Sequence, residues 1–230
     1  MAQFQTQNGQ TEFLNYFQDA NGFLARAPRA GLYPGIVLIH EWWGLNDYIR
    51  EEAKKLAAYG YNVLAVDLFG GQIAQTPEEA RLLVQTVDPN IALENLRAAV
   101  RHLRQREMAM KVGTLGWCFG GGQAFRLSVS GEPLNVTVIY YGHVTADKTD
   151  LDKIHWPVLG IFGEEDDVVS AEAVRNFETA LSELNIPHEI EIYPGVGHAF
   201  ANPGNPKHAV GEKEDAWNKT VAFLERTLKN

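Results

Sequence analysis

Short, wholly apolar runs alternate with longer amphipathic stretches along most of this chain. Ile36-Val37-Leu38-Ile39 is followed by Ile49, Ala53, Leu56 and Ala57 at helical spacing. A strand without polar alternation is one buried on both faces, and apolar residues recurring every three to four positions mark one face of a helix. The order repeats through Val63 to Val66, helical stretches over roughly 78–106, Val112 to Leu115, a helix through about 130, and Val136 to Tyr140. Val158 to Phe162, a helix over about 171–184, Glu189 to Tyr193 and a helix over about 215–228 complete it. Strands alternating with helices of this length predict parallel βαβ units with helices on both faces of the sheet. The first 30 residues differ: Asn8-Gly9 and Asn21-Gly22 favour tight turns with positive φ and predict antiparallel edge strands. The expected architecture is therefore α/β, a mostly parallel central sheet flanked by helices with an antiparallel N-terminal edge. It is expected to form a single domain over residues 1–230.

Composition narrows the function. With 45% hydrophobic and 21% charged residues the chain can bury a sizeable core, which excludes disorder, collagen-like repeats and mini-protein scaffolds. Twenty basic against 29 acidic residues give a net charge of −9, so general attraction to nucleic acid or anionic membranes is not expected. A small-molecule partner is. The one cysteine cannot form an intramolecular disulfide, and no apolar run reaches the roughly 18–20 residues of a spanning helix. Met1 to Gln10 is polar and lacks the pattern of a secretory signal. These features predict a cytoplasmic protein in a reducing compartment, as a monomer or small homo-oligomer.

In open α/β sheets ligands bind outside the carboxyl ends of the strands, so the loops after the apolar runs carry the chemistry. Gly116-Trp117-Cys118-Phe119-Gly120 follows an expected strand and opens an expected helix, the context of a Gly-x-nucleophile-x-Gly elbow with cysteine as nucleophile. Its alternatives are a small buried thiol or a phosphate-cradling loop, although the Lys-Ser/Thr ending of the latter is missing. A nucleophile on an elbow needs a base and a carboxylate to orient it, in the chain order nucleophile, acid, histidine. Gly163-Glu164-Glu165-Asp166-Asp167 supplies carboxylates after one strand, and Gly195-Val196-Gly197-His198 a histidine after the next. Asp166 is preferred as the acid, with Asp167 as the fallback; Cys118, Asp166 and His198 lie 48 and 32 residues apart. His40-Glu41-Trp42-Trp43-Gly44 is not the zinc signature, because Gly44 stands where the second histidine would be, and neither metal nor cofactor is expected.

With these motifs the chain resembles the dienelactone hydrolase family of the α/β-hydrolase superfamily. The resemblance runs from His40-Glu41 through the cysteine elbow to Gly197-His198-Ala199-Phe200, and takes in Asp67-Leu68 and Tyr140-Tyr141-Gly142. It implies an α/β-hydrolase fold and a cofactor-independent hydrolase that opens a lactone or carboxylic ester through an acyl-enzyme on Cys118. His198 would shuttle the proton, Asp166 would hold the imidazole, and Glu41 would modulate the resting thiol. The backbone N–H groups of Trp42 and Phe119 would form the oxyanion hole. Family enzymes acting on dienelactone grip its carboxylate with arginines; Asn202 stands at one such position and Arg81 is the candidate for another. Trp43, Trp117 and Phe200 are further candidates for the substrate pocket, which leaves apolar esters and an anionic lactone both open. Action on a thioester, peptide or phosphotriester by the same triad, or a non-catalytic binding module, are the alternative functions.

Overall fold

Each wholly apolar run becomes a strand in the computed structural model, which describes residues 10–230. The chain groups into two units, residues 1–112 and 113–230. The first holds β1 (Thr11–Phe17), β2 (Ala20–Ala25), β3 (Gly35–Ile39), α1 (Asp47–Ala58), β4 (Asn62–Ala65), α2 (Pro77–Thr86) and α3 (Pro89–Gln105). Its strands lie in the order β1-β2-β4-β3, with β1 and β2 antiparallel, β2 and β4 antiparallel, and β3 and β4 parallel. The antiparallel N-terminal edge is therefore present, but its turn is not where the sequence placed it. Gln18, at φ 43°, and Asp19 make the turn, while Asn21 and Gly22 lie within β2. Gly22 is required for space instead: a Cβ there would meet the side chains of Leu64 and Tyr16, each at 2.8 Å. The Asn8-Gly9 expectation falls outside the described residues.

Helix starts follow local chemistry. Asn46, Thr76 and Asp88 each accept a backbone N–H with their side chains at the head of α1, α2 and α3, and proline opens the last two. The long helical stretch over 78–106 thus divides at Val87-Asp88. Ile49, Ala53, Leu56 and Ala57 form the buried face of α1, as their spacing predicts.

The second unit starts one residue into β5 (Val112–Trp117) and goes on through α4 (Phe119–Ser128), β6 (Val136–Tyr140), α5 (Lys148–Leu151), β7 (Val158–Gly163), α6 (Ala171–Glu183), β8 (His188–Tyr193) and α7 (Val210–Leu228). Its strands run in sequence order and parallel to one another. β5, β6 and β7 are buried along their whole length, and β8 is only partly so. Burial of the large aliphatic side chains in these strands is worth about 1.5–3 kcal/mol each. Two buried polar pairs cross-link the elements: Trp156 Nε1 donates to Thr137 Oγ1 at 2.9 Å, and Tyr140 donates its hydroxyl to the Ala216 carbonyl at 3.0 Å, tying α7 to β6. α7 begins at Val210, before the expected 215, and α5 was not expected. Among the described residues, no helix is long and apolar enough to cross a membrane.

Candidate active site

Cys118 is the N-cap of α4, at φ 54° and ψ −117°. A side chain at this backbone conformation costs on the order of 1–3 kcal/mol, and the surroundings must over-determine it. They do so with backbone bonds and missing side chains. The Cys118 N–H donates to the Tyr140 carbonyl at 3.0 Å, and the Cys118 carbonyl accepts from Gly122 at 3.1 Å. A Cβ on Gly121 would lie 2.7 Å from the Tyr140 carbonyl oxygen and 2.9 Å from the Gly142 Cα. The helix start and the loop after β6 thus approach backbone to backbone, which leaves the cysteine half-buried at the helix N-terminus. The N–H groups and positive dipole end found there favour negative charge that develops at this point.

The candidate acid and histidine come from the loops after β7 and β8, and the two loops are bonded together. Glu164 donates its N–H to the Tyr193 carbonyl at 2.9 Å, and Glu165 to that of Val196 at 3.0 Å. Gly163 permits this, because a Cβ there would meet the Val196 carbonyl oxygen at 2.4 Å. Asp166 is buried and Asp167 exposed, which favours the first of the two candidate acids. Asp166 Oδ1 accepts the N–H groups of Val168 and Val169 at 2.7 and 2.9 Å, while Oδ2 accepts from His198 Nδ1 at 2.8 Å. With the ring proton on Nδ1 so engaged, Nε2 faces Cys118 Sγ at 3.1 Å. The edge of the Tyr141–His198 pair, with ring centroids 5.3 Å apart, flanks the imidazole. Asn205, which carries no sequence motif, donates its amide to the His198 and Ala199 carbonyls at 2.8 and 3.1 Å.

Not every expected residue joins this constellation. Trp117 and Phe200, expected at the pocket, lie in the core: Trp117 packs on Tyr140, and Phe200 on Tyr141 and Tyr193. Asn202 is also buried, and its Oδ1 accepts the Gly204 N–H at 2.7 Å, a local turn that accounts for an amide at this position. In the first unit, Glu41 follows β3 and is buried, Trp42 and Trp43 are half-buried with ring centroids 5.1 Å apart, and Arg81 is exposed on α2. His40 Nε2 accepts the Leu68 N–H at 3.2 Å, so its proton sits on Nδ1 and is donated to the Glu41 carbonyl at 2.6 Å. Burial pushes the His40 pKa down, consistent with a neutral structural imidazole. Asp67 caps the loop after β4 by accepting the N–H groups of Phe69 and Gly71 at 2.9 and 2.5 Å.

The pattern of the dienelactone hydrolase family matches residues 20–228. The chain belongs to this family. Dienelactone hydrolase relatives include "Putative carboxymethylenebutenolidase" of Saccharolobus solfataricus, 30% identical over 93% of this chain and 98% of its own. "Protein usf" of Aquifex pyrophilus is 29% identical over 90% and 93%. Among solved structures, a dienelactone hydrolase-like promiscuous phosphotriesterase from metagenomic libraries superposes with a TM-score of 0.85, at 22% identity, covering 95% of this chain and 98% of that one. The structure named m3DLH has the same TM-score at 25% identity, over 96% and 99%. The fold is that of the α/β-hydrolases.

In this member of the dienelactone hydrolase family the surroundings of His198 act on its charge state. Burial opposes a charge on His198, but its hydrogen bonds to Asp166 and Cys118 outweigh burial and push its pKa up to about 10. Because the folded value is raised above the unfolded one of ~6.5, the stability it contributes is complete below ~6.5 and is lost as pH rises through about 10. The His198 ring protons are expected to titrate in NMR spectra with a midpoint near 10. Asp166→Asn is expected to lower that midpoint by at least one pH unit, and a midpoint at the ordinary imidazole value in the wild-type protein would contradict the assignment.

Proposed function

We propose that the protein hydrolyses carboxylic esters and lactones through a thioester acyl-enzyme on Cys118. The observation that carries this reading is the continuous hydrogen-bonded chain from Asp166 through His198 to Cys118, at 2.8 and 3.1 Å. In acylation the Cys118 sulfur forms the C–S bond, its proton resides on His198 Nε2, and the collapsing tetrahedral adduct expels an alkoxide that takes this proton. In deacylation water attacks the thioester, giving its proton to His198, and the thiolate leaves. Asp166 keeps the imidazole in the tautomer and orientation this exchange needs. The Phe119 N–H at the head of α4 is the oxyanion donor from the elbow, and the Trp42 N–H and the Glu41 carboxylate belong to this proposal on the family's sequence pattern alone.

Substrates without a carboxylate fit residue 202 best. An asparagine whose oxygen is committed to Gly204 offers no charge-assisted grip on an anion, whereas an arginine would. Steady-state rates on a short-chain aryl ester, on cis- and trans-dienelactone and on a phosphotriester test this, together with intact mass after a brief ester pulse. The expected outcome is an acyl mass increment on Cys118 and a higher kcat/KM for the neutral ester than for either lactone. Turnover without a Cys118 adduct under rapid quenching would overturn the mechanism, and a preference for dienelactone would overturn the substrate reading.

A further inference from the structure

The segment that follows the histidine folds back onto it. Three successive carbonyls of the histidine loop accept hydrogen bonds from residues 205–209: Asn205 Nδ2 donates to His198 and Ala199 at 2.8 and 3.1 Å, and His208 Nδ1 and the Ala209 N–H donate to Phe200 at 2.9 and 3.0 Å. Asn205 is itself fixed, since its Oδ1 accepts the Lys207 N–H at 3.0 Å and its own N–H donates to the Asn202 carbonyl at 3.0 Å. Between the two carbonyls it grips lies Ala199, at φ 56°. A side chain with a Cβ adopts this left-handed conformation only under constraint. The His198 carbonyl belongs to the peptide plane before the Ala199 Cα and the Ala199 carbonyl to the plane after it. One amide group bonded to both therefore sets the two dihedral angles of Ala199.

We propose that Asn205 is a positioning residue for His198, holding the backbone turn that aims Nε2 at Cys118. The assignment rests on His198 serving as the base of the proposed reaction. Asp166 and the Tyr141 ring orient the imidazole from its side-chain end; Asn205 orients it from the backbone end. The amide nitrogen donates to both carbonyls, so the role depends on a side chain with a donor as well as an acceptor, which asparagine supplies at this length and aspartate does not.

Asn205→Ala removes the grip, and Asn205→Asp keeps the size and the acceptor for Lys207 while turning a carboxylate on two carbonyl oxygens. Asn205→Ala is expected to lower kcat on an aryl ester about tenfold or more, and Asn205→Asp further, with KM within about twofold of wild type. Two readouts do not depend on the substrate: the NMR titration midpoint of His198 and the rate of Cys118 alkylation by iodoacetamide. Both are expected to fall in the two variants, because a misaimed imidazole loses its bond to the sulfur. Absence of ester turnover by the wild-type protein would remove the proposed function, while a fall in these two readouts would still support the positioning role. Variants that unfold at lower temperature yet retain the wild-type kcat, His198 midpoint and alkylation rate in the folded protein would reduce Asn205 to a structural residue and overturn the proposal.

Discussion

Cys118→Ala is expected to lower kcat/KM for an aryl ester on the order of 10⁴-fold or more, with little change in thermal stability. Cys118 is the proposed nucleophile, and no neighbour in the hydrogen-bonded chain can supply its chemistry, whereas the Asp166–His198 bond of 2.8 Å does not involve the sulfur. Alanine removes one half-buried atom and relieves none of the backbone strain, since the φ of 54° is imposed by the surrounding glycines. Cys118→Ser keeps a nucleophile of higher pKa in the same place and is expected to retain a small residual rate. Steady-state assays on the two variants, alongside their melting curves, check this. Retention of most of the activity by Cys118→Ala would exclude the acyl-enzyme.

The largest effect on folding is expected at Gly116. A Cβ there would lie 2.2 Å from the Gly120 carbonyl oxygen, 2.4 Å from its carbon and 2.9 Å from the Gly121 nitrogen, all backbone atoms of the first turn of α4. That turn cannot retreat, because Gly121 is already pressed against the Tyr140 carbonyl and Gly142. Gly116→Ala is therefore expected to cost more than about 3 kcal/mol, in the range reserved for steric strain in a closed core. Gly211 is the matched control. It lies in the first turn of α7, where an added methyl group would meet nothing within 4 Å and φ is not positive, so Gly211→Ala is expected to be neutral or stabilising by up to ~1 kcal/mol. Denaturant unfolding of both variants measures the difference.

Much of this was legible in the sequence because burial on two faces leaves a simple mark. The runs at Val136 to Tyr140 and Val158 to Phe162 are strands almost to the residue, since a parallel strand with helices on both sides has no place for polar alternation. The candidate acid was legible because it follows such a run, and the candidate base because it stands in a glycine-rich loop after the alternating strand Glu189 to Tyr193. Other features depend on partners distant in sequence. Gly22 reads as a turn residue beside Asn21, but its need for a hydrogen side chain comes from Leu64 and Tyr16. The start of α7 was hidden because Ala209, its N-cap, makes no side-chain cap. Trp117 and Phe200 look like pocket aromatics by their place in motifs, whereas the packing of β5, β6 and β8 side chains takes them into the core. Asn205 had no mark at all, since an amide that grips two main-chain carbonyls needs no particular neighbour in sequence.

The backbone bonds from Glu164 to Tyr193 and from Glu165 to Val196 have a kinetic meaning. They join the segment bearing Asp166 to the one bearing His198, so a backbone fluctuation that carries one segment away breaks its bonds to the other. The Glu164 and Glu165 amide hydrogens are then expected to exchange with solvent as one cooperative opening unit, in which Asp166 and His198 leave the sulfur together. Loss of the proposed site by backbone opening is in that sense expected to be all-or-none, Asp166 and His198 departing as one unit.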